Sequence, residues 1–232
     1  MNPKKLAFGL GLSLMLVAQA LDGQQGDADR DRLAELIANA ETGDAKVQNE
    51  LGLRYAKGQG MTTNVADAVK WFRKAADQNL DKAQFNLGVS YATGRGVTKD
   101  VAEAVRWFRK AADQNLATAE FNLGLCYEEG QGVAKDEAEA VEWFRKAAWQ
   151  NLATAQYLLG DCYAKGRGVT KDQAEAVKWI ALAAAQGMAE AKADIPWIEH
   201  NVPEEQVAEG RRRAIAWLER WKGASTAGAF QP

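Results

Sequence analysis

Histidine is nearly absent: His200 is the only one in 232 residues, which removes most readings built on a general base, a catalytic triad or an imidazole-held metal. Ser-x-x-Lys and Lys-Thr-Gly, the nucleophile and base motifs of serine β-lactamases, are missing as well. Neither sign of charge dominates. With residues 1–20 set aside, 27 basic side chains face 31 acidic ones, and such a mixed surface argues against a nucleic-acid partner. Long apolar runs are absent except over 6–20, where Lys4 and Lys5 precede an uncharged stretch closing on Ala18-Gln19-Ala20. That pattern reads as a secretory signal peptide cut before Leu21, with a membrane anchor as the alternative; the run is shorter than the ~18 apolar residues a span needs. The mature chain is therefore expected to be periplasmic or secreted, with no membrane span.

What is present is a period. Leu51, Gly52 and Tyr55 return as Leu87, Gly88 and Tyr91, as Leu123, Gly124 and Tyr127, and as Leu159, Gly160 and Tyr163. Gly-x-Gly pairs (58 and 60, 94 and 96, 130 and 132, 166 and 168) and tryptophans at 71, 107, 143 and 179 keep the same frame of 36 residues. A fixed period of this length marks a solenoid. Within each copy, Ala83, Leu87, Gly88 and Tyr91 gather on one side of a first helix, and the glycines form a turn. A second helix opens at Asp100 with Glu103, Asp136 with Glu139, and Asp172 with Glu175, each spaced as a capping box, with Asn64 and Asp67 a weaker version. Ala104, Phe108, Ala111 and Ala112 give it an apolar stripe.

The resulting frame, Ala-x-x-x-Leu-Gly-x-x-Tyr-x-x-Gly-x-Gly-Val followed by Ala-Val-x-Trp-Phe-Arg-Lys-Ala-Ala, resembles the Sel-one-like repeat family, a relative of the tetratricopeptide repeats. The resemblance covers 45–188 in four copies: 45–80, 81–116, 117–152 and 153–188. It implies an all-α fold, a right-handed α-solenoid of antiparallel helix pairs, and an interaction scaffold for a protein or peptide; the residue inventory, with its single histidine, gives no cofactor or metal to expect. The expected organisation is a signal peptide (1–20), a linker (21–28), an N-terminal capping helix (29–44), the four repeats, a degenerate repeat with a C-terminal capping helix (189–222) and a frayed tail (223–232). Ile215, Trp217, Leu218 and Trp221 are read as the apolar face of that last helix.

Two other functions stay open, a structural role in envelope or homo-oligomer assembly and a β-lactam-directed enzyme. The latter exists among relatives whose repeats carry paired cysteines, which this chain lacks. The Gly-x-Gly pairs follow helices in a repeating turn, so they are not phosphate cradles. Cys126 and Cys162 share one repeat position, where equivalent Cα atoms on stacked helices lie beyond the ~7 Å a disulfide allows. They are expected as packed thiols, a bridge being the alternative. Trp149 replaces an acid at a helix end and either packs under the next repeat or is an exposed anchor.

For the partner, the residues two before and two after each repeated Leu are expected on the side away from the second helix: Asn49 and Leu53, Phe85 and Val89, Phe121 and Leu125, Tyr157 and Asp161, with Glu128, Glu129 and Lys165 alongside. They would form a stripe on a concave wall that accepts an extended peptide or a helix. The alternative is that Phe85, Phe121 and Tyr157 are partly buried between neighbouring first helices. The molecule is expected to be a monomer or a weak homo-oligomer.

Overall fold

A computed structural model describes residues 32–59 and 63–227, with side chains to 222. The expected signal peptide, the linker and residues 228–232 lie outside these. Every regular element among the described residues is an α-helix, as an all-α solenoid of antiparallel helix pairs requires. The chain divides after Leu80 into two compact units.

The first unit holds α1 (32–41), α2 (Ala45–Lys57) and α3 (Val65–Asp77). Asp44 caps α2 by accepting from the N–H groups of Lys46 and Val47 at 2.8 and 3.1 Å. Gln48 turns its amide back to the Ala40 carbonyl, 3.0 Å away. Helices α2 and α3 pair closely because Gly52 has no side chain: a Cβ there would stand 2.6 Å from the Phe72 ring.

The second unit repeats this pair three times: α4 (Asp81–Thr93) with α5 (Val101–Ala112), α6 (Ala117–Glu129) with α7 (Glu137–Trp149), and α8 (Ala153–Lys165) with α9 (Gln173–Ala185). Gly88 and Gly124 meet Phe108 and Phe144 as Gly52 meets Phe72. Consecutive pairs stack through α5 on α6 and α7 on α8. In the last two turns the second glycine makes that stacking possible. A Cβ on Gly132 would sit 2.4 Å from the Val101 carbonyl oxygen, and one on Gly168 would sit 2.0 Å from that of Glu137, so each turn rests on the first residue of the preceding repeat's second helix. Between repeats the chain reverses at Asn115 and Asn151, both left-handed at φ 62° and 65°, the region asparagine tolerates best after glycine.

The capping-box expectation holds by half. Asp100, Asp136 and Asp172 accept from the N–H groups of Glu103, Glu139 and Glu175 at 2.9, 3.0 and 2.9 Å. The glutamates, however, do not return to the cap. Their carboxylates accept from the indole N–H of Trp107, Trp143 and Trp179 at 2.8, 2.9 and 3.1 Å. The reason is burial, since an indole N–H inside an interface must find an acceptor and the residue four positions earlier is the nearest one. Asp100→Ala is expected to lower stability by about 1 kcal/mol, read from thermal unfolding, because only the backbone half of the cap is lost.

Beyond the repeats, α10 (Ala189–Asn201) packs on α9 and scarcely meets α11 (Glu204–Ala227), which also packs on α9. Gly210 admits α11 against α9, where a Cβ would stand 2.6 Å from the Ala174 carbonyl. Trp217 is buried on the inner face of α11, edge-on to Trp149 and Trp179 at centroid distances of 6.5 and 6.0 Å. Trp149 is thus half-buried and packed under its neighbours rather than presented to solvent. One member of the expected capping face is corrected. Ile215 is 58% exposed, two positions from Trp217 and therefore on the far side of the helix. The helix also continues past Gly223 to Ala227, into the segment expected to fray.

Cys126 and Cys162 are free thiols buried in separate apolar clusters. Burial pushes both up to about 11. Neither should react with iodoacetamide in the folded protein in mildly alkaline buffer, and both should react after denaturation without reductant, as mass spectrometry would show. Rapid labelling of the native chain would contradict this packing.

Candidate functional site

Three departures from the repeat pattern, each minor in the sequence, coincide at the fourth repeat and the helix that follows it. Where Phe72, Phe108 and Phe144 stand, the fourth second helix carries the shorter Ile180. Where Phe85 and Phe121 stand, α8 carries Tyr157. Gly160 still admits the neighbouring helix, with a Cβ 2.7 Å from Ile180 Cγ1. Finally, the fifth first helix, α10, has Pro196 in place of the pairing glycine.

In the second and third repeats the aromatic pairs close on each other. Phe85 tilts onto Phe108 at 5.8 Å between centroids, and Phe121 onto Phe144 at 5.9 Å. The smaller Ile180 leaves that space open in the fourth. The result is a cleft of about 390 Å³ between α8, α9 and α10. Its apolar wall comes from Val177 and Ile180 of α9 and from Ile198 and Val202. Tyr157, Asp161 and Lys165 enter from α8, and Lys171, Asp194 and Trp197 complete the polar and aromatic rim. The Tyr157 hydroxyl donates to Asp194 Oδ2 at 3.0 Å, tying α8 to α10 across the opening. Burial, with that carboxylate behind the hydroxyl, pushes the phenol above its ordinary range.

The charges at the rim are partly spent. Asp161 is held by Lys165 at 2.7 Å and by Arg167 at 2.5 Å, and Arg167 also grips Glu128 from the preceding repeat. Lys171 differs. In the third repeat Lys135 pairs with Glu137 at 2.8 Å, but Gln173 stands where that acid would be, and Lys171 makes no ion pair among the described residues.

Of the residues expected to meet a partner, the structure therefore brings Tyr157, Asp161 and Lys165 together in one cleft, with Glu128 joined to them through Arg167. Phe85 and Phe121 do not lie on the open side. Each sits three residues before the pairing glycine of its helix, hence on the same flank, and is half-buried on the second helix. Val89 and Leu125 are half-buried against the apolar clusters beside them, and Leu53 is half-buried too. Asn49 is buried, while Glu129 is exposed and accepts from Gln131. Trp197, Lys171, Asp194 and Arg167 were not among the expected residues. The period itself could have found the first: Leu53, Val89, Leu125 and Asp161 recur 36 residues on as Trp197. Among the described residues no group of three or more His, Cys, Asp and Glu could hold a metal, and no helix is long and apolar enough to cross a membrane.

A family model described as Sel1 repeat matches residues 45–80, 81–116, 117–151 and 153–188. Two solved structures are similar. One is c5321, a protective antigen of uropathogenic Escherichia coli strains displaying an SLR fold, at 38% identity over 85% of this chain and 41% of that one, TM-score 0.73. The other is a Sel1 repeat protein from Oxalobacter formigenes, at 34% identity over 73% of this chain and 50% of that one, TM-score 0.68. The chain thus spans half or less of either structure's length. No curated protein sequence matches it.

Proposed function

The chain belongs to the Sel1 repeat family, whose members generally mediate protein–protein interaction, and on that premise we propose that it is an exported, non-catalytic adaptor that holds a segment of another protein in the cleft between α8, α9 and α10. The single observation carrying this is the opening of that cleft where the repeat's aromatic pair is replaced by Tyr157 and Ile180, with Trp197 at its rim. A concave site with a mostly apolar wall and a few placed polar groups is the usual form of a recognition pocket. Export rests on residues 1–20, whose charged start, apolar run and small-residue end suit a signal peptide. The polar, well-mixed remainder is compatible with that compartment.

Ala164→Trp would fill the cleft from α8 without touching the buried core. Mature protein immobilised in an extract of its native compartment should retain a protein that the filled variant does not. Retention unaffected by the filling would move the site elsewhere. A stable large oligomer by light scattering, with nothing retained, would favour the assembly role instead.

A further inference from the structure

We propose that the cleft recognises an extended segment in which a bulky apolar residue adjoins an aspartate or glutamate; this deepens the adaptor reading and rests on it. Three observations point there. Trp197 is 62% exposed, although the residues at its register position in earlier repeats are at least partly covered. An indole left open beside a wall made by Val177, Ile180 and Ile198 is suited to clamp an apolar side chain, and tryptophan is among the residues on which binding energy concentrates. The space, about 390 Å³, fits one large side chain and its neighbour and is too small for a helix.

The charges then select the neighbour. Both carboxylates at the rim are already engaged, Asp161 by Lys165 and Arg167, and Asp194 by the Tyr157 hydroxyl. Among the described residues the ammonium of Lys171 is left without an acid, Gln173 standing where the glutamate that pairs with Lys135 stands one repeat earlier. An incoming acid therefore finds a free partner. An incoming base would have to displace Arg167 or Lys165 from Asp161. Because a rim pair is solvent-exposed, the acid should set preference while the apolar contact sets strength.

The test is a selection of random peptides, displayed on phage between Ser/Gly spacers, on the full mature chain. The enriched peptides are then synthesised with acetylated and amidated ends and titrated by fluorescence polarisation. Enrichment of Phe, Trp, Leu or Met next to Asp or Glu is expected. Trp197→Ala should weaken these peptides about tenfold or more, Lys171→Glu should weaken them and shift selection toward Lys and Arg, and Lys171→Arg should retain them. Both positions are exposed, so melting curves should not move. Peptides that bind without an acidic preference, or that ignore both the Trp197 and Lys171 changes, would overturn this proposal and leave the adaptor reading standing. No enrichment of any peptide would count against both.

Discussion

Gly168→Ala is expected to cost about 3 kcal/mol or more, from two terms that act together. At φ 65° an alanine is strained by itself, and its Cβ would lie 2.0 Å from the carbonyl oxygen of Glu137. The clash is with backbone at the start of α7, so no side-chain rotation relieves it, and the third and fourth repeats must separate. Gly166 supplies the control. Its φ is 71°, yet the nearest atom to an added Cβ is Lys171 Cβ at 3.4 Å, an ordinary contact. Gly166→Ala should therefore cost about 1 kcal/mol, the strain alone. Urea denaturation of the two variants reads the difference directly, and equal losses would show that the second glycine does not hold the repeats together.

Glu120→Gln should stabilise the protein above neutral pH by about 3 kcal/mol and do little in acid. Glu120 is buried, 1% exposed, where Gln48, Gln84 and Gln156 stand in the other repeats. Those glutamines accept an amide N–H from Gln78, Gln114 and Gln186, each at 2.8 Å, and Gln150 reaches Glu120 in the same way at 2.7 Å. Gln48 and Gln156 also donate to the Ala40 and Ala148 carbonyls at 3.0 and 3.2 Å. An ionised carboxylate has no proton to offer at the equivalent place. Burial accordingly pushes Glu120 from 4.5 up to about 7. Because the folded chain keeps its proton to about pH 7 and the unfolded chain releases it near 4.5, the unfolded state binds fewer protons in that window. Stability therefore falls as pH rises through it, and the loss is complete above. Denaturation midpoints of wild type and variant should coincide near the lower value and diverge by the upper one. Parallel curves across the window would refute the account.

The fold was legible because a 36-residue frame repeats the features that build it. Gly52, Gly88, Gly124 and Gly160 announce close helix pairs, and Asp100, Asp136 and Asp172 announce helix starts. What the frame hid were interactions between residues that are individually ordinary. The spacing of Glu103 before Trp107 suits a capping box and an indole acceptor equally, and only burial of the ring decides between them. The left-handed turns at Asn115 and Asn151 were not legible because asparagine, unlike glycine, occurs as readily in ordinary helix-end and loop conformations. The cleft was half legible. Tyr157, Asp161 and Lys165 were expected at a partner site, but on a wall away from the second helix, whereas they line a cleft against α9; the opening comes from what is absent, a phenylalanine at 180 and a glycine at 196. Trp197 escaped because Ile195 and Pro196 break the motif just before it, although the register runs on.

The most direct measurement is hydrogen exchange on the full mature chain with and without a selected acetylated and amidated peptide. Binding in the cleft predicts slowed exchange over 157–165 in α8, at the start of α9 and through α10, with the Trp197→Ala variant showing none. Slowing confined to α4 and α6, or unchanged by Trp197→Ala, would contradict it.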